Sequence, residues 1–141
     1  MRKSFQITLS FCIVVFGCHV YGASYESPKE AIIGHWVFNK QETVLSFKNS
    51  GMSEDEVNEF SRILKPQEIV ISENLYSVHK PAKKIRQTAY SVISESDGCV
   101  LLQLKDSRIP LDIQKATLCI NDEKLLLPAL KGAFEVYDRK L

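Results

Sequence analysis

Apolar and polar positions along the 141-residue chain change their rhythm several times. Residues 5–16 form an uncharged, largely apolar run. A polar lead-in over 23–30 precedes a second, shorter apolar stretch, "AIIGHWVF" (31–38), which predicts a first strand at Ile32–Phe38. Helical spacing comes next. "NKQETVLSFKNSG" (39–51) predicts a short helix, with Gly51 suited to the left-handed position just past its end. Ser53 and Glu56 fit a capping box, and Met52 and Val57 fit the hydrophobic staple that accompanies one. Val57, Phe60, Ile63 and Leu64 then share one helix face, and Pro66 closes the segment. Glu54, Asp55 and Glu56 complement the positive end of that helix's dipole, which accounts for the acidic cluster without a metal ion.

From Gln67 onward the period becomes two. Ile69 and Ile71 alternate with polar residues, "SEN" turns the chain, and Tyr76 and Val78 resume the alternation. After the loop "HKPAKK", a strand is predicted over Ile85–Glu95 with Tyr90 and Val92 inward. Asp97-Gly98 is a hairpin signal. Further strands follow at Cys99–Lys105, Ile113–Ile120, Lys124–Leu127 and Ala133–Lys140, with turns at "NDE" and Lys131-Gly132. Regularly spaced short strands of this kind predict a mainly β (α+β) fold. The expected architecture is an antiparallel meander closing into a small barrel or half-barrel, with a helical insertion after the first strand. One domain, 31–141, holds it.

The N-terminus has a different purpose. Arg2 and Lys3 precede the first apolar run, no acid occurs before Glu26, and small residues follow in "GCHVYGAS". This is the build of a secretory signal peptide. Gly17, Cys18 and His19 interrupt the run well short of the roughly 20 apolar residues that a spanning helix needs. Val20 and Gly22 suit the small-residue sites of an ordinary signal peptidase, so a signal peptide over 1–22 is expected. "VFGC" (15–18) also resembles the bacterial lipoprotein box, in which Cys18 would be lipidated, although Phe16 matches it poorly. His19 in place of aspartate after that cysteine would then imply the outer membrane. The chain is expected to be exported, periplasmic or secreted, with an outer-membrane lipoprotein as the alternative. Membrane attachment is expected only through Cys18.

Cleavage after Gly22 leaves 119 residues carrying 16 basic and 17 acidic side chains. That length supports one self-sufficient core. The near-neutral balance argues against nucleic acid as a general partner.

Two cysteines, Cys99 and Cys119, remain in the folded domain, and in an exported protein such a pair is a disulfide candidate. If strands 99–105 and 113–120 pair antiparallel, the midpoint of the two cysteines falls at residue 109, inside the loop "DSRIPLD" (106–112). The cysteines then stand opposite one another. Val100, Leu102 and Leu104 share the other face with Ala116, Leu118 and Ile120.

Catalytic signatures are missing from the sequence. It contains no G-x-S-x-G, P-loop or HExxH motif. Of the two histidines in the domain, His35 alternates to the face opposite Trp36 and His79 begins the basic loop, and neither has metal-ligand spacing. A non-enzymatic protein without cofactor or metal is expected. Lys80, Lys83, Lys84 and Arg86 cluster around the "HKPAKK" loop and are candidate contacts for an anionic partner.

Taken together, "IIGHW" at the first strand, a helical segment, a β meander and a closing "FEVYDRK" resemble the small bacterial lipocalin-like exported proteins. The resemblance implies that Trp36, two places after Gly34, packs at the closed end of a barrel. It also implies that a basic residue of the last strand, Arg139, covers its ring, with Phe134 and Val136 as core neighbours. A binding module for an apolar small molecule or envelope component is then expected, its cavity lined by residues such as Tyr76, Tyr90, Leu102, Leu118 and Phe134. The alternative is a protein-interaction factor (an inhibitor, immunity factor or envelope-assembly accessory) with a filled core. Such a factor would act through the loops 79–86 or 106–112.

Overall fold

The structure, a computed structural model, describes residues 27–83 and 85–141. The expected signal segment, Cys18 and Lys84 lie outside the described residues. Eight strands form one closed barrel in chain order: β1 (Gly34–Phe38), β2 (Glu68–Ile71), β3 (Leu75–His79), β4 (Arg86–Ser96), β5 (Cys99–Leu104), β6 (Lys115–Asn121), β7 (Lys124–Pro128) and β8 (Phe134–Arg139). Every neighbouring pair is antiparallel, and β1 closes on β8 with Trp36 opposite Arg139. Closure gives every strand two neighbours.

Strand alternation turns one apolar set inward. Trp36, Ile69, Ile71, Tyr90, Val100, Leu102, Leu118, Leu125 and Tyr137 form the buried core with Ile32. At about 25 cal/mol per Å² of apolar surface removed from water, these side chains dominate the folding energy. The register shifts between Val92 and Ser94, so Ile93 is the extra residue of a bulge and is turned out to solvent.

Among the described residues, three α-helices accompany the barrel. The short α1 (Pro28–Ile32) lies at the barrel end where β1 begins and β8 finishes, and its Ile32 is fully buried in the core. Residues 28–30 of the expected lead-in belong to α1, and the strand expected to start at Ile32 is corrected: it begins at Gly34. Ser27 caps the helix by accepting a hydrogen bond from the Glu30 amide, and Pro28 takes the first helical position, where its missing N–H costs nothing.

Between β1 and β2 the chain forms α2 (Lys40–Asn49) and α3 (Glu54–Ile63). The capping box at Ser53 and Glu56 is present in both directions, and Met52 and Val57 are buried together in a second apolar cluster with Phe47 and Ala133. Helix α2 also serves the sheet. β1 ends at Phe38, which leaves β8 amides without a strand partner. The Thr43 and Ser46 hydroxyls accept from the amides of Val136 and Phe134, each at 2.9 Å. Such backbone groups are costly to bury unpaired, so these two side chains hold the helix where the strand stops.

The strand expected over Ile113–Ile120 begins two residues later. Leu111–Ile113 form a 3-10 turn instead, and Ile113 is exposed. The buried Gln114 amide explains this: its Nε2 donates to the carbonyls of Asp106 (2.9 Å) and Ile109 (2.6 Å), pinning the loop onto the sheet.

Candidate functional site

The two ends of the barrel differ. Hairpins β2–β3, β4–β5 and β6–β7 lie at the end covered by α1. Here the Arg139 guanidinium carbon stands 4.2 Å from the centre of the Trp36 ring. Its two terminal nitrogens donate to the Ala31 carbonyl (2.7 Å) and the Ile33 carbonyl (3.0 Å), and the Trp36 indole donates to the Ile32 carbonyl at 2.8 Å. Three consecutive carbonyls at the end of α1 are thus satisfied by one tryptophan and one arginine. Gly34 makes the approach possible: a Cβ there would lie 2.6 Å from an Arg139 terminal nitrogen. Gly34, Trp36 and Arg139 are brought together as a seal.

Above the seal the core is solid. Leu102 and Leu118 have no accessible surface, so no water-sized void adjoins them. Tyr90 is buried beside them, and its hydroxyl donates to the Ser72 carbonyl at 2.6 Å. The expectation that these three residues line a ligand cavity is corrected: they are packing residues. Phe134 is corrected for another reason. Strand parity places it, with Val136, on the face opposite Arg139, where it borders a groove against α2.

The other end is open. A cavity of about 300 Å³ enters between β3, β4 and the β5–β6 loop. Tyr76, Val78, Leu104 and Ile109 supply its apolar wall, and Arg86, Asp106 and Arg108 its charged lip. Of the five residues expected to line a ligand cavity, Tyr76 borders this one. A second depression of about 410 Å³ lies at the same end, bordered by Phe38, Leu64, Gln67, Lys80, Lys83 and Glu135. Three of the four basic residues singled out in the sequence, Lys80, Lys83 and Arg86, therefore border these two openings.

Polar groups that the sequence pattern did not mark stand inside this mouth. Gln67 donates to the Tyr137 hydroxyl, and that hydroxyl donates to the Glu135 carboxylate at 2.8 Å. Burial and the neighbouring Glu135 charge raise the Tyr137 phenol, and the same two causes push Tyr76 up to about 12. Both tyrosines stay neutral donors at any physiological pH. On the lip, Arg108 grips Asp106 with two nitrogens, at 2.8 and 2.7 Å, and holds its carboxyl down to about 2. Glu135 was legible in principle. Counting back by twos from Arg139 passes through Tyr137 and Glu135, not through Phe134 and Val136.

Cys99 stands opposite Cys119 in the β5–β6 register, and the two are joined in a disulfide. His35 Nε2 lies 2.5 Å from Glu68 Oε2, a half-exposed surface pair that also involves Lys140. Comparison with protein-family models and with curated proteins finds no match for this chain.

Proposed function

We propose that the protein is a non-enzymatic exported binding module, lipocalin-like in kind, that takes an apolar-bodied small molecule at the barrel mouth. The observation that carries this reading is the contrast between the two ends. One end is sealed and its core solid; the other holds a cavity of about 300 Å³ with an apolar wall and a charged lip. That volume is at the lower edge of a drug-sized site, about 300–1,000 Å³. Export is supported by the sequence of the N-terminus and by a disulfide, which persists in oxidising compartments. In this reading Arg86 and Arg108 would face the polar head of the ligand, while Tyr76, Val78 and Leu104 would cover its body.

A neutral fluorescent probe such as N-phenylnaphthylamine tests this. The full chain is expected to bind it, and Val78→Trp, which puts an indole into the cavity, is expected to weaken binding at least tenfold. Unchanged affinity in Val78→Trp would overturn the mouth as the site. Native mass spectrometry of protein purified from its own envelope would then identify what the mouth carries.

A protein-interaction factor is the second reading, favoured by the filled core around Leu102 and Leu118. Its loop 106–112 is held by Gln114 and by the Asp106–Arg108 pair, as a preformed recognition loop would be. Co-purification of a stoichiometric protein partner, lost on changing Arg108 to Ala, would support it over the first.

A further inference from the structure

The open end carries a chemistry that ligand binding within the cavity does not require. Five large aliphatic side chains at this end, Ile63, Ile85, Leu111, Ile113 and Leu130, are each more than half exposed. They sit on four separate segments: the end of α3, the approach to β4, the β5–β6 loop and the β7–β8 loop. In sequence, the rim segments 64–67, 80–83, 105–114 and 129–133 hold six lysines and arginines against two aspartates, while the helical stretch 39–63 at the same end adds three bases and five acids. The hairpin turns at the sealed end, 72–74, 97–98 and 122–123, hold four acids and no base. The rim loops of the open end are thus basic and apolar, and the hairpin turns of the sealed end acidic.

Within each open-end segment a base lies next to or near the aliphatic tip: Lys65 by Ile63, Arg86 by Ile85, Arg108 by Leu111, Lys131 by Leu130; of these Arg108 is paired with Asp106 and Lys131 with Glu56. Among the described residues Lys65, Lys80 and Lys83 form no salt bridge within the chain. Aliphatic tips beside cations on separate loops match a bilayer interface. The tips enter the acyl boundary and the cations stay among lipid phosphates.

We infer that the barrel docks mouth-first on an anionic lipid membrane, through Ile85, Leu111, Ile113 and Leu130 and the surrounding bases. The inference concerns the rim and holds whatever the cavity binds.

Single tryptophans report it site by site in the full chain, because Trp36 is fully buried and gives a constant background. Leu111→Trp is placed at the open end and Leu75→Trp at the sealed end, both at exposed positions. With vesicles of phosphatidylcholine containing about one third phosphatidylglycerol, Leu111→Trp emission is expected to shift to the blue and to be quenched by brominated acyl chains. Leu75→Trp is expected to do neither. Lys80→Gln with Lys83→Gln in the Leu111→Trp background is expected to lower partitioning about 30-fold, at about 1 kcal/mol per charge. No shift at Leu111→Trp, equal shifts at both ends, or equal partitioning to pure phosphatidylcholine would each overturn the proposal. Because the two reporters share one N-terminus, attachment through that segment alone cannot produce the difference between them.

Discussion

Gly34, Trp36 and Arg139 act as one unit, and their energetics follow from what each atom touches. Arg139 stacks on the indole and satisfies two carbonyls of α1. Arg139→Ala is expected to cost about 2–4 kcal/mol, from lost charge-assisted hydrogen bonds and the ring contact. A urea midpoint measures this, and Trp36, the only tryptophan, reports it directly through a red shift of its emission. Gly34→Ala is expected to cost about 1–3 kcal/mol, because its φ of +153° disfavours a side chain and the clashing Arg139 is pinned at both ends. Acid acts at different residues, Glu56, Glu68 and Asp106, whose carboxyls are held low by cationic or hydrogen-bonding neighbours; Asp106 is the simplest to follow. The Asp106 carboxyl is held at about 2 by Arg108, against about 3.9 in an unfolded chain. Its contribution is therefore complete above about pH 4 and is lost as pH falls towards 2. Hydrogen exchange of the Arg108 amide, which donates to Asp106, is expected to quicken over that interval and to be pH-independent in Asp106→Asn once corrected for intrinsic exchange. The facing of Phe134 and Val136 also follows from one side chain's direction. Arg139 faces in, so Phe134 and Val136 face out; both are apolar because α2 covers that outer face, which composition alone does not reveal.

At the scale of elements, strands and helix starts were the most legible because each has its own local signal. Period-two alternation marked the meander, and Ser53 with Glu56 marked α3. Ser53→Ala is expected to cost about 1 kcal/mol, read as a shift in thermal midpoint with the cavity unaffected. The Cys99–Cys119 pairing was legible because antiparallel register is arithmetic: two cysteines symmetric about a loop must meet. Replacing both by serine is expected to cost about 3 kcal/mol in the chain-entropy description, and thiol counting on the unreduced protein is expected to find neither cysteine free. Helix α1 was hidden for the opposite reason. Its five residues are too few for periodicity, and Ile32 reads equally well as the start of a strand. Only packing at the barrel end decides, since Ile32 buries there and the carbonyls of the last turn find Trp36 and Arg139. The loop 105–114 was hidden likewise, because its shape depends on one buried amide, Gln114, contacting carbonyls 5 and 8 residues earlier in the chain.

For the whole molecule, the decisive fact is that sealing and opening occupy opposite ends of one barrel. Alternation along each strand foretold an apolar interior, but not how much of that interior would be filled. Filling depends on how side chains from eight strands meet, and Leu102 and Leu118 turn out to close the centre while Tyr76 and Leu104 stop short at the mouth. Stability and binding should therefore be separable. Changes at the seal, such as Arg139→Ala, alter stability with little effect on the affinity of a mouth ligand, because distant sites without shared partners are nearly additive. Changes at the mouth, such as Val78→Trp, do the reverse. A ligand that binds the folded mouth at a hundred times its Kd stabilises the domain by about 2.7 kcal/mol. For a domain of this size that is a rise in Tm of roughly 10 °C. The rise is expected to persist in Phe134→Ala, whose side chain lies outside the barrel, and to vanish in Val78→Trp. A rise that disappears in Phe134→Ala instead would place the ligand in the groove between β8 and α2, and the open mouth would then be left to the membrane.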